Sequence, residues 1–210
     1  MSLAQMLWQD AQETARRCLD HPFVQGLADG SLPRERYRTF IAQDAFFLEE
    51  FARGYAYCAA TAPDRHGLDA FRRLLNGVFD ELELHASAAA ELSIDLAVVE
   101  PLPSTVAYTR FLEDCIRAGA GTGMTAASMA PCMRLYAHLG RALAAGPVAA
   151  RYRGWVETYA AAEMEDLAQT VEALLDRYAG DGVRERVQYH RAMQLEYEFF
   201  DAAWRAEEGR

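Results

Sequence analysis

Three residues in this chain could carry covalent or proton-transfer chemistry, each in a setting that solvent exposure does not explain. Cys132 follows a proline in Met129-Ala130-Pro131-Cys132-Met133-Arg134-Leu135-Tyr136. Tyr136 stands four residues further on, so thiol and phenol project from one helical face. Asp44 sits in Gln43-Asp44-Ala45-Phe46-Phe47 and shares the spacing i, i+3, i+7, i+11 with Phe47, Phe51 and Tyr55, which puts a carboxylate on an aromatic stripe. Glu196 lies in Leu195-Glu196-Tyr197-Glu198-Phe199-Phe200. Burying an acid without a partner is costly, so both carboxylates need a reason to be there. One nucleophile and two acids on separate helices outline an active site. Each also has a plainer reading. A lone cysteine on an apolar helix is more often a small buried hydrophobe. Asp44 could be a structural acid paired to an arginine or a helix end, and Glu196 a solvated residue among aromatics.

Composition narrows the classes of chemistry. The 210 residues are 51% hydrophobic, long enough for one buried core, and no Ser/Gly/Pro-rich linker divides them, so a single domain over 1–210 is expected. The formal net charge is −10, and every cationic side chain other than histidine is arginine. That balance argues against nucleic acid and against an anionic membrane surface as partners. The absence of lysine excludes Schiff-base chemistry, pyridoxal phosphate attachment and a P-loop. No apolar run reaches a membrane-spanning length, and Met1 to Asp10 has no signal-peptide core, so a soluble cytoplasmic protein is expected. Cys18, Cys58, Cys115 and Cys132 are widely spaced, which fits neither a disulfide framework nor a zinc knuckle.

The elements that must position these residues are helical. Apolar residues recur at helical spacing nearly throughout, and β-branched runs of strand length are absent, so the fold class is all-α. The first helix runs from Ser2, a plausible N-cap, to Cys18, and His21-Pro22 to Asp29-Gly30 reads as a connector. Pro33 opens a long helix to Thr61, a third spans Leu68 to Leu92, and a fourth runs from Ser104 to the Gly119–Gly123 turn. A fifth, Thr125 to Ala145, carries Pro131 in its second turn and Cys132 early enough to feel the positive end of the helix dipole. Shorter pieces follow around Trp155–Tyr159 and Glu163–Tyr178, and a last helix covers Val183 to Ala206. Seven or eight helices joined by short turns predict a compact bundle with room for a pocket between facing helices.

Other helical-bundle chemistries fare less well. A carboxylate-bridged di-iron site needs Glu-x-x-His pairs, and none of His21, His66, His85, His138 and His190 stands three residues after a glutamate. Glu81 and His85 are spaced i, i+4 and could share a face, but no second cluster matches them. Nothing in the spacing supports a haem ligand, and a Ser/His/Asp hydrolase lacks its Gly-x-Ser-x-Gly elbow. No cofactor or metal is expected.

The segment His21-Pro22-Phe23-Val24-Gln25-Gly26-Leu27-Ala28-Asp29-Gly30-Ser31-Leu32-Pro33, followed by Tyr37 and Gln43-Asp44, closely resembles the opening of the TenA/thiaminase II family. Pro131-Cys132-x-x-Leu135-Tyr136, Trp155-x-x-Thr158-Tyr159 and Glu196-Tyr197-x-Phe199-Phe200 follow in that family's order. The resemblance covers essentially the whole chain, and Cys132 places it in the cysteine-bearing branch. It implies a fold similar to haem oxygenase without the haem, a homotetramer, and no cofactor. It also implies a hydrolase of thiamin salvage that converts 4-amino-5-aminomethyl-2-methylpyrimidine, and thiamin as a second substrate, to 4-amino-5-hydroxymethyl-2-methylpyrimidine. Carried onto this sequence, the nucleophile matches Cys132 and the paired carboxylates match Asp44 and Glu196, with Glu196 passing the proton. The pocket tyrosines match Tyr108, Tyr136 and Tyr159. Phe47 departs from the pattern, because the family commonly has a tyrosine there. A pyrimidine-binding or regulatory protein without catalysis is the alternative on the same scaffold.

Overall fold

The computed structural model describes residues 1–206, and among them only helices and connecting turns occur. In order they are α1 (Leu3–Asp10), α2 (Gln12–Leu19), α3 (Pro22–Asp29), α4 (Arg34–Thr61), α5 (Arg65–Glu91), α6 (Pro103–Arg117), α7 (Thr122–Ala144), a 3-10 turn (Ala150–Tyr152), α8 (Arg153–Ala160), α9 (Ala162–Tyr178) and α10 (Val183–Arg205). None of these helices is long and apolar enough to cross a membrane. Their buried faces merge into a continuous apolar cluster drawn from every α-helix.

Among the described residues, two local features raise the helix number from the expected seven or eight to ten. The first helix is interrupted at Ala11, which caps α1 and opens α2 in αR geometry. No glycine or proline marks that break. The second is α3, which occupies the segment read as a connector. Its residues carry the signals of a short helix: Pro22 at the first turn, the His21 ring accepting the Phe23 N–H at 3.1 Å, and Gly30 ending it at φ 79°. Proline inside the start and glycine past the end is a helix signature as well as a turn signature.

The start of α7 also departs from expectation, with consequences for the nucleophile. The helix begins at Thr122, so Gly123 lies inside it. A Cβ on Gly123 would meet the Tyr178 carbonyl oxygen at 2.0 Å; the glycine is there to let α7 approach the end of α9. Pro131 and Cys132 therefore fall in the third turn of α7, not near its start. The dipole field fades within the first turn, so it gives Cys132 no appreciable help. Pro131, which precedes Cys132 in sequence, has no N–H and leaves the Ala127 carbonyl without its i+4 intrahelical donor.

Several joints fix the helices around the interior. Asp64 caps α5 through the Gly67 N–H at 2.9 Å and holds Arg177 and the Tyr178 hydroxyl of α9. Gln43 of α4 staples the connector ahead of α6: its Oε1 accepts from the Leu102 N–H and the Thr105 hydroxyl, and its Nε2 donates to the Glu100 carbonyl. Arg134 of α7 makes paired contacts with Glu165 and Glu172 of α9, all at 2.7–2.9 Å.

Candidate active site

A cavity lies between α4, α5, α7, α8 and α9. Helix α4 contributes Asp44, Phe47, Phe51 and Tyr55, the stripe visible in the sequence. Cys132 and Tyr136 arrive together from α7, as their i, i+4 spacing requires, and Tyr159 comes from α8. Gly140 makes that last placement possible. A Cβ there would meet the Tyr159 carbonyl carbon at 2.2 Å, so only glycine lets α7 and α8 pack this closely. Met164 and Leu167 of α9 supply apolar wall.

Tyr108 and Glu196 stand behind this lining rather than in it. The Tyr108 hydroxyl donates to Glu196 Oε1 at 2.6 Å, and both residues are almost fully buried. The Phe47 ring lies 4.7 Å from the Tyr108 ring, joining the two layers. Glu196 in turn interacts with the Cys132 thiol, an interaction that favours the proton on sulfur. All seven residues singled out in the sequence thus fall at the cavity or against its inner wall.

Sequence reasoning left three further residues out of the site. Glu81 of α5 lines the cavity and accepts a hydrogen bond from the Tyr159 hydroxyl at 3.0 Å. His85, one turn on, brings Nε2 to 2.6 Å from Asp44 Oδ2. This is a close ion-pair contact without a well-aligned hydrogen bond, since Nε2 otherwise lacks a partner. Tyr55 is buried with a hydroxyl that has no partner among the described residues. The i, i+4 acid and histidine of α5 were a visible signal, but one that suggested a metal ligand pair. What they meet instead is a carboxylate and a phenol from other helices.

The electrostatics follow from crowding acids into an apolar interior. Burial, aided by the Asp44 charge, pushes Glu196 up to about 8, against the pull of the Tyr108 hydrogen bond and the nearby Cys132 thiol. Glu81 is also raised, by burial first and Asp44 second. Burial alone would lower His85, but Asp44 and Glu81 outweigh it and the imidazole is raised, favouring the cation. The Cys132 thiol is held well above its ordinary value by burial and then by the Glu196, Glu81 and Asp44 charges. Tyr136 and Tyr159 are raised well above the usual phenol range for the same reasons, so they serve as donors. Of the four cysteines, Cys18, Cys58 and Cys115 are buried, while Cys132 is partly exposed on the cavity wall.

The cavity thus carries a thiol, two carboxyls and several phenols, with the Glu196 carboxyl behind them. The chain belongs to the TENA/THI-4/PQQC family, whose pattern matches residues 8–206. It is 32% identical to an aminopyrimidine aminohydrolase of Halalkalibacterium halodurans, over 97% of this chain and 96% of that one. A second aminopyrimidine aminohydrolase, of Bacillus subtilis, is 28% identical over 89% of this chain and 83% of its own. Among solved structures, a TenA family transcription regulator from Silicibacter sp. TM1040 superposes with a TM-score of 0.90 at 24% identity, covering 97% of each chain. A TenA homologue from Pyrococcus horikoshii OT3 gives 0.89 at 22% identity, covering 98% of this chain and 99% of that one.

Proposed function

We propose that this protein is an aminopyrimidine aminohydrolase of the thiaminase II type. In this reading it converts 4-amino-5-aminomethyl-2-methylpyrimidine, and thiamin as a second substrate, to 4-amino-5-hydroxymethyl-2-methylpyrimidine in thiamin salvage. The observation that carries the reading is a thiol on the wall of a cavity with Asp44 and Glu81 beside it and Glu196 against it.

The surroundings of Cys132 set the order of events. Burial first, and then three nearby carboxyls, keep the thiol protonated, so no standing thiolate awaits the substrate. The Tyr159 hydroxyl is committed to Glu81 and is not free to stabilise a thiolate. Proton movement must therefore accompany attack. Near neutral pH Glu196 carries a proton. As sulfur bonds to C6 of the pyrimidine, Glu196 gives its proton to a ring nitrogen and takes the thiol's proton. The protein keeps its charge, and the ring becomes electron-rich. That electron density expels the substituent on the C5 methylene. Water adds at the exposed carbon, the C6–S bond breaks, and protons return by the same path. Asp44, steadied by His85, accepts from the 4-amino group, and the Phe47, Tyr136 and Tyr159 rings give the slot its planar shape.

The family resemblance also carries a homotetramer, which we include in the proposal. Phe79 and Leu84 of α5 are 54% and 65% exposed, on the helix whose inner face bears Glu81 and His85.

Incubation with the aminomethyl pyrimidine and, separately, with thiamin should release the hydroxymethyl pyrimidine from both, and faster from the former. Release from neither would remove the proposal.

A further inference from the structure

We propose that Glu81 receives the departing group: its carboxylate binds the ammonium on the C5 methylene, so the site selects pyrimidines whose leaving group is positively charged. The inference rests on the aminopyrimidine reading above and adds to it a residue and a basis for selection.

A charge inventory of the cavity singles out this residue. Asp44 is matched by the His85 ring at 2.6 Å. Glu196 sits behind the lining with Tyr108 as its donor, and it holds a proton near neutral pH. Glu81 lines the cavity, and among the described residues its one side-chain hydrogen bond is from the neutral Tyr159 hydroxyl at 3.0 Å. The groups facing it are Asp44 and Tyr55 of α4, His85 of α5, Cys132 of α7 and Tyr159 of α8. Only His85 among them is cationic; its ring contacts Asp44, and its charge reaches Glu81 without a contact. From α9 the cavity receives only Met164 and Leu167. An anion in an apolar pocket without its own cation is best satisfied by a cation from the ligand.

The chemistry gains from such a contact. A primary amine entering an apolar pocket tends to lose its proton, because burial disfavours the charged form. Amide ion is then the only leaving group, and it does not leave. The Glu81 carboxylate keeps the nitrogen protonated. When the ring expels it, the C–N bond breaks, its electron pair stays on nitrogen, and ammonia departs neutral with the protons it already carried. The electron pair of the sulfur adduct forms the double bond to the methylene, with no oxidant or reductant involved. In thiamin the quaternary thiazolium supplies the same charge and leaves as neutral thiazole. The hydroxymethyl product has no charge for Glu81 to hold, which favours its release.

The test is equilibrium binding in a Cys132→Ser background, where neither ligand is consumed. Calorimetry would compare the cationic aminomethyl pyrimidine with the neutral hydroxymethyl pyrimidine, with Glu81 intact and with Glu81→Gln. With Glu81 present the cation is expected to bind about tenfold or more tighter than the neutral compound. Glu81→Gln should bring the two within about threefold while leaving the neutral ligand's affinity within about threefold of its starting value. A preference that survives Glu81→Gln would overturn the inference. So would equal losses for both ligands, which would make Glu81 a structural residue. Failure of both compounds to bind even with Glu81 intact would instead remove the aminopyrimidine reading itself.

Discussion

At the residue scale, the site trades stability for chemistry, and Glu196 shows it most directly. Its folded carboxyl titrates at about 8, whereas an unfolded glutamate titrates near about 4.3. Between those values the unfolded chain releases a proton that the folded chain keeps. The stability this group contributes is therefore full below about pH 4.3 and is lost as pH rises through about 8. Glu196→Gln removes the titration. The melting temperature of the variant relative to the parent should climb between pH 5 and pH 8, and a difference flat across that range would contradict the assignment. The same substitution should lower kcat by about a hundredfold or more with KM within about tenfold, since an amide bonds the ring but passes no proton. Phe47→Tyr should change kcat/KM by less than about tenfold, because the unpaired Tyr55 hydroxyl already gives this wall a donor. A hundredfold gain would mean that the parent site lacks an essential hydroxyl.

At the element scale, the positions of the catalytic groups depend on how closely helices approach. Gly140→Ala would drive a methyl into the Tyr159 backbone, shift α8, and weaken the Tyr159 to Glu81 hydrogen bond. Denaturant unfolding should show a loss of about 1–3 kcal/mol, with a fall in kcat/KM. Gly154→Ala is the control on α8, since nothing lies within 4 Å of its added methyl. Equal behaviour of the two variants would show that the close approach does not matter.

Helices of 15 residues or more are legible in the sequence because their apolar stripes repeat over several turns, as in the Asp44 to Tyr55 run of α4. The eight-residue α3 is not, because over two turns Pro22 and Gly30 weigh more than periodicity. The start of α7 is mistaken for a similar reason. Gly123 reads as a breaker, and only the tertiary contact with Tyr178 reveals why a glycine is needed inside the helix. The site divides along the same line. Cys132, Asp44 and Glu196 stand out because their own neighbours are apolar. Glu81 and His85 gain meaning only from partners on α8 and α4, which no local spacing discloses.

At the scale of the whole molecule, the acidic surface and the apolar side chains along α5 pull in different directions. The net charge of −10 opposes nonspecific association, while Phe79 and Leu84 present apolar area that a specific interface would cover. Light scattering coupled to size exclusion should give a particle about four times the 23.4 kDa chain. A mass equal to one chain would refute the tetramer.

Bond formation between Cys132 and the pyrimidine is the step on which the whole mechanism depends. It is tested most directly by measuring hydroxymethyl pyrimidine release from the aminomethyl substrate by the parent and by Cys132→Ser, with circular dichroism and product binding showing that the fold and pocket persist. A serine hydroxyl nearly fills the space of the thiol but is a far weaker nucleophile near neutral pH, so release should fall by a factor of about a thousand or more. Release by Cys132→Ser within about tenfold of the parent would rule out that bond, because a nucleophile's removal costs far more than that.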